Sequence, residues 1–92
     1  MQKTKTTPLK RFAETHGLKL AVAKAIVRAA ERVFKAGEEY SNSDSISVER
    51  RYLSAQRNFD ALIKANGFDD YEMPGLWPTL KKGDQWIEIP EK

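Results

Sequence analysis

Apolar positions recur at three- and four-residue steps through the first two-thirds of the chain, and that rhythm predicts helices. From Pro8 to His16, Leu9, Phe12 and Ala13 share one face. Thr7 supplies a hydroxyl cap, Pro8 fills the first helical position where its missing N–H costs nothing, and Gly17 closes the element. A second pattern runs from Leu18 to Ala36 through Leu20, Ala23, Ile26 or Val27, Ala30, and Val33 or Phe34, with Gly37 as its predicted stop. Alanine, the best helix former, is frequent there. The polar run Ser41–Asn42–Ser43–Asp44–Ser45 marks a loop over 38–46. Ser45 or Ser47 then caps a third helix reaching about Ala65, in which Val48, Tyr52, Ala55, Phe59 and Leu62 repeat and Asn66–Gly67 ends the run. Two long helices joined by a modest loop imply an antiparallel pair.

Beyond Gly67 the pattern changes. Phe68, Tyr71, Met73, Leu76 and Trp77 are interleaved with acids, Pro74 and Gly75, a mixture that predicts an irregular segment laid across the helices. Thr79–Leu80, the turn Lys81–Lys82–Gly83–Asp84, and residues 85–89 predict a small β-hairpin. The expected fold is therefore helix-dominated α+β: a short N-terminal helix, an antiparallel pair of long helices and a C-terminal hairpin. The 92 residues fit one domain, with residues 1–6 read as a frayed Lys/Thr-rich tail.

Composition narrows the classes. With 40% hydrophobic residues the chain is apolar enough to build a core, and a mean hydropathy of −0.63 points away from a membrane protein. No cysteine is present, and no apolar leader follows Met1, so the expected compartment is the cytoplasm. A single histidine, His16, forbids histidine pairs; it is expected to serve as a surface or capping residue whose charge complements the helix C-terminus. Asp69, Asp70 and Glu72 lack the spacing of a calcium loop, and the five glycines stand singly rather than in a phosphate-binding loop. Catalysis, metal binding and a cofactor are therefore not expected.

Charge carries the functional signal. The net charge is +3, but residues 1–36 carry +7 and residues 37–92 carry −4. Lys24, Arg28, Arg32 and Lys35 follow four-, four- and three-residue steps along one side of the second helix. Arg50, Arg57 and Lys64 repeat every seven residues on the third, and Lys10 and Arg11 add to the first. Such a stripe fits a phosphate backbone; it also fits a plain solvated face. Two rival surfaces stay open. Leu9 to Val27 has the outline of a helix-turn-helix, with Phe12, Ala13, Gly17, Leu18 and Ile26 in the expected classes but His16 and Ala23 departing from them. Tyr71 and Trp77, together with Trp86, are either protein-interface anchors or core residues.

Taken whole, the chain resembles small accessory proteins of phages and mobile elements, including the anti-CRISPR inhibitors. The likeness rests on its size, lack of cysteine, Lys-rich start, and a helical body finished by Met73–Pro74–Gly75–Leu76–Trp77–Pro78. That resemblance implies a stoichiometric inhibitor docking on a larger nucleoprotein complex and occluding its nucleic-acid path without turnover. It implies no particular fold and assigns no residue.

Overall fold

The computed structural model describes residues 7–91; the tail expected at residues 1–6 lies outside them. Three helices, α1 (Pro8–Thr15), α2 (Leu20–Ser41) and α3 (Ile46–Ala65), precede three strands, β1 (Asp70–Glu72), β2 (Thr79–Lys82) and β3 (Gln85–Glu88). The long helices pack antiparallel, α1 lies on α2, and the strands form an antiparallel sheet in the order β1-β2-β3. No helix among the described residues is long and apolar enough to cross a membrane.

Local chemistry sets the ends of α1 and α3. The Thr7 hydroxyl accepts a bond from the Lys10 N–H at 3.1 Å, as a capping threonine should. Both helices stop at a glycine in the left-handed region, Gly17 at φ 65° and Gly67 at φ 95°. At each, the next residue returns its N–H to the last turn: Leu18 to the Ala13 carbonyl at 2.8 Å, and Phe68 to the Ile63 carbonyl at 3.1 Å. Each closure also tucks an apolar side chain against the core.

Gly37 behaves differently and corrects the expected helix end. α2 runs on to Ser41, and Gly37 is buried inside it. A Cβ there would lie 3.1 Å from a Leu76 methyl and 3.3 Å from the Tyr52 ring. The glycine thus makes room for α3 and the 73–78 segment to close on α2. The loop shortens accordingly to residues 42–45. Ser45 caps α3 by position only, because its hydroxyl pairs with that of Ser47 at 2.9 Å. Leu20, expected in the core, is 45% exposed at the start of α2.

A second correction concerns the segment after Gly67. Asp70–Tyr71–Glu72 is a strand, pairing Asp70 with Lys81, Tyr71 with Leu80 and Glu72 with Thr79. The predicted hairpin pairs Thr79 with Glu88, Leu80 with Ile87, Lys81 with Trp86 and Lys82 with Gln85, so β2 reaches Lys82 and the turn is Gly83–Asp84 alone. Asp69 clamps this end: its N–H donates to the Lys81 carbonyl at 2.8 Å and its carboxylate accepts the Gly83 N–H at 2.6 Å. The sheet buries Leu80 and Ile87 against a core built from Phe12, Ile26, Val33, Phe59, Ile63 and Phe68. Ala23 and Ala30 are fully buried on α2, and their small side chains allow close packing.

Candidate nucleic-acid interface

The core stripe of α2 (Ala23, Ile26, Ala30, Val33) forces the intervening positions outward. Lys24, Arg28, Arg32 and Lys35 occupy that outer face, all exposed. Successive charges are separated along the axis by about 6, 6 and 4.5 Å, from the helical rise of about 1.5 Å per residue. Among the described residues, none of the four forms an ion pair. Glu31 shares the face, half-buried beside Lys24 and Arg28, and it is engaged in an interaction of its own.

Three of the other predicted cations have acids beside them. Lys64 is paired to Asp60 at 3.2 Å on its own helix. Arg57 borders a hollow of about 500 Å³ shared with Asp60, Asp70 and Glu72, where carboxylates outnumber it. Arg11 lines a separate hollow of about 520 Å³ between α1 and residues 88–91, together with Glu88 and Glu91. Lys10 and Arg50 stand exposed on α1 and α3. Arg51, which sequence reasoning passed over, bridges α3 to Glu39 of α2 at 3.2 Å, in an exposed pair worth at most about 1 kcal/mol.

Two of the aromatic candidates, Tyr71 and Trp77, pack against the core. Tyr71 stands edge-on to Phe59, ring centroids 5.0 Å apart, and its phenol is pushed above the usual range by burial and by Asp60 and Asp70. Trp77 meets Phe34 edge-on at 6.1 Å, and its indole N–H donates to the Ile89 carbonyl at 2.8 Å. Both are half-buried. Trp86 is the aromatic that faces solvent: it is 50% exposed on the outer side of the sheet, with the Lys81 ammonium 5.5 Å from its ring. Period-two alternation with the buried Ile87 was the signal that separates it from the other two.

His16 takes the expected capping position at the end of α1, but its ring does not stand on the open surface. It sits half-buried between Phe12, at 5.2 Å, and Phe68, at 5.8 Å, both edge-on. Its pKa is lowered, first by this burial and then by the Lys82 ammonium. The folded state therefore binds the proton less readily than the unfolded chain. The resulting stability is present above the unfolded value of about 6.5 and is lost as pH falls from there through the folded value. Denaturant midpoints at pH 7.5 and 5.5 should show a larger loss for the wild type than for His16→Gln; parallel losses would contradict this placement.

No group of three His, Asp or Glu side chains among the described residues is arranged to hold a metal ion. No family model, curated protein or solved structure matches the chain.

Proposed function

We propose that this protein is a non-catalytic binder that lays the outer face of α2 on a phosphate backbone, presented by nucleic acid or by a nucleoprotein complex in the cytoplasm. It acts by occupancy, in the manner of a stoichiometric inhibitor of the phage-encoded kind. The observation that carries this reading is the row Lys24, Arg28, Arg32 and Lys35: four exposed cations that form no ion pair among the described residues, aligned on the side of α2 away from the core. A solvated face gains nothing from setting four like charges against the single acid Glu31, since neighbouring like charges on one helix repel. A polyanion converts that repulsion into binding by releasing its counterions.

Neutralising four phosphates predicts a log–log slope of affinity against salt of about −3 to −4 on duplex DNA. Titration of a labelled 20-base-pair duplex and of a single strand between 50 and 300 mM salt measures it. Binding that ignores salt sinks the proposal. A helix-turn-helix regulator is the second reading, favoured by the glycine-closed turn between α1 and α2 with Lys24 and Arg28 exposed just beyond it. It differs in outcome, because selection from random duplexes should then enrich one sequence.

A further inference from the structure

β3 is an edge strand. Among the described residues it pairs only with β2, and no helix packs along its other side. The two-residue turn Gly83–Asp84 sets which backbone groups are left over. Lys82 and Gln85 flank that turn and form the hydrogen-bonded pair that closes it. Pairs then alternate along the hairpin, so Leu80 and Ile87 are the next bonded pair, while Trp86 and Glu88 turn their N–H and C=O groups away from β2. A short ladder site is thus exposed, ending before Pro90, which has no donor.

Most of the charged side chains around that edge are acidic, although Arg11 of α1 lines the same hollow as Glu88 and Glu91 and the Lys81 ammonium lies beside Trp86. Trp86 and Glu88 project from the outer face of the sheet, where Asp70 and Glu72 also lie. Residues 69–91 carry six carboxylates (Asp69, Asp70, Glu72, Asp84, Glu88, Glu91) against Lys81 and Lys82. Among the described residues, neither Glu88 nor Glu91 forms an ion pair. A second copy of β3 on this edge would bring Asp84 and Glu88 carboxylates toward their own kind, a repulsion that discourages self-pairing. A phosphate backbone is repelled in the same way. A cationic strand is attracted by the same groups.

We propose that the free edge of β3 takes an extended basic segment of a protein partner as a fourth strand. Backbone groups of Trp86 and Glu88 supply the ladder bonds. Basic side chains at alternate positions of the incoming strand lie beside the exposed Trp86 ring and the Glu88 carboxylate, gaining a cation–π contact and a charge-assisted bond. The intervening side chains face inward beside Ile87, toward the hollow lined by Phe12 and Ile89, and small apolar residues suit them. This surface does not depend on the α2 reading. The two sites are of opposite charge and fit different components of a nucleoprotein.

The test uses a fluorescent eight-residue peptide of alternating lysine and valine, and two versions N-methylated either on every lysine or on every valine. Saturable binding of the parent is expected, with at least a tenfold loss for the phase whose N–H groups face β3. Glu88→Lys combined with Glu91→Lys should weaken parent binding at least tenfold while the circular dichroism and unfolding midpoint stay unchanged. In the wild type, hydrogen exchange at the Trp86 and Glu88 amides should slow when the parent peptide is bound, a readout that needs no variant. Equal binding of all three peptides would reduce the contact to charge alone and overturn the proposal. Absence of binding by the parent would overturn it too.

Discussion

Replacing Phe59 by alanine is expected to destabilise the protein by about 3–5 kcal/mol, the cost of emptying a phenylalanine site in a packed core. Phe59 is fully buried on α3, and its ring is the one on which Tyr71 of β1 stands. α3 is also the helix against which β1 packs, so this contact ties the sheet to the helices as well as filling space. Domains of this size are stable by only about 5–15 kcal/mol, so the loss is a large share of the total. Thermal unfolding followed by circular dichroism should show a midpoint lowered by at least about 12 °C, at about 4–8 °C per kcal/mol. Leu62→Ala, on the same helix but half-buried, should cost clearly less. A Phe59→Ala loss below about 1.5 kcal/mol would mean that the sheet is held elsewhere.

The fold was legible where one residue's neighbours carry the whole signal. Gly17 and Gly67 were read correctly as helix ends, and each is followed by an apolar residue, Leu18 or Phe68, that packs back on the core. Gly37 was misread because glycine alone does not distinguish a terminus from a close approach. It is followed by Glu38 and Glu39, so no apolar residue is available to seal a left-handed turn, and its reason for being glycine is Tyr52 and Leu76, distant in sequence. Strand β1 was hidden for a similar reason. Three residues, acid–aromatic–acid, give too little alternation to be seen, and their strand character comes from the partner β2.

The candidate interface was legible only in part. Spacing alone put Lys24, Arg28, Arg32 and Lys35 on one face, because a helix turns the same way whatever surrounds it. Asp60 stands four residues before Lys64, the spacing at which helical side chains pair, and the structure contains that pair. Spacing did not show that Arg57 would share a hollow with Asp70 and Glu72, or Arg11 with Glu88 and Glu91, since those neighbours arrive from the sheet and the segment after it. Tertiary folding therefore sets Arg11, Arg57 and Lys64, each with acids brought beside it, apart from the exposed row on α2, whose own face also holds the half-buried Glu31.

That contrast gives the second large expected effect. Arg28→Glu with Arg32→Glu reverses the two central charges of the row, leaving Lys24 and Lys35 each next to a new carboxylate. The separations along α2, about 6 Å or less, lie inside the screening length of about 10 Å at 0.1 M salt, so all four positions respond together. Affinity for a nucleic-acid duplex at low salt should fall by at least about 100-fold, and its salt dependence should nearly vanish. Stability should change by no more than about 0.5 kcal/mol, because both arginines are exposed and form no ion pair among the described residues. Arg50→Glu with Arg57→Glu applies the same charge change to α3 and should cost far less, since Arg57 already sits among carboxylates. Arg28→Lys with Arg32→Lys keeps the charge, so retained affinity would assign the contact to charge and a large loss would assign it to the bidentate geometry that lysine lacks. Equal losses from the α2 and α3 reversals would show that only net charge matters, and the row on α2 would then be an ordinary solvated face.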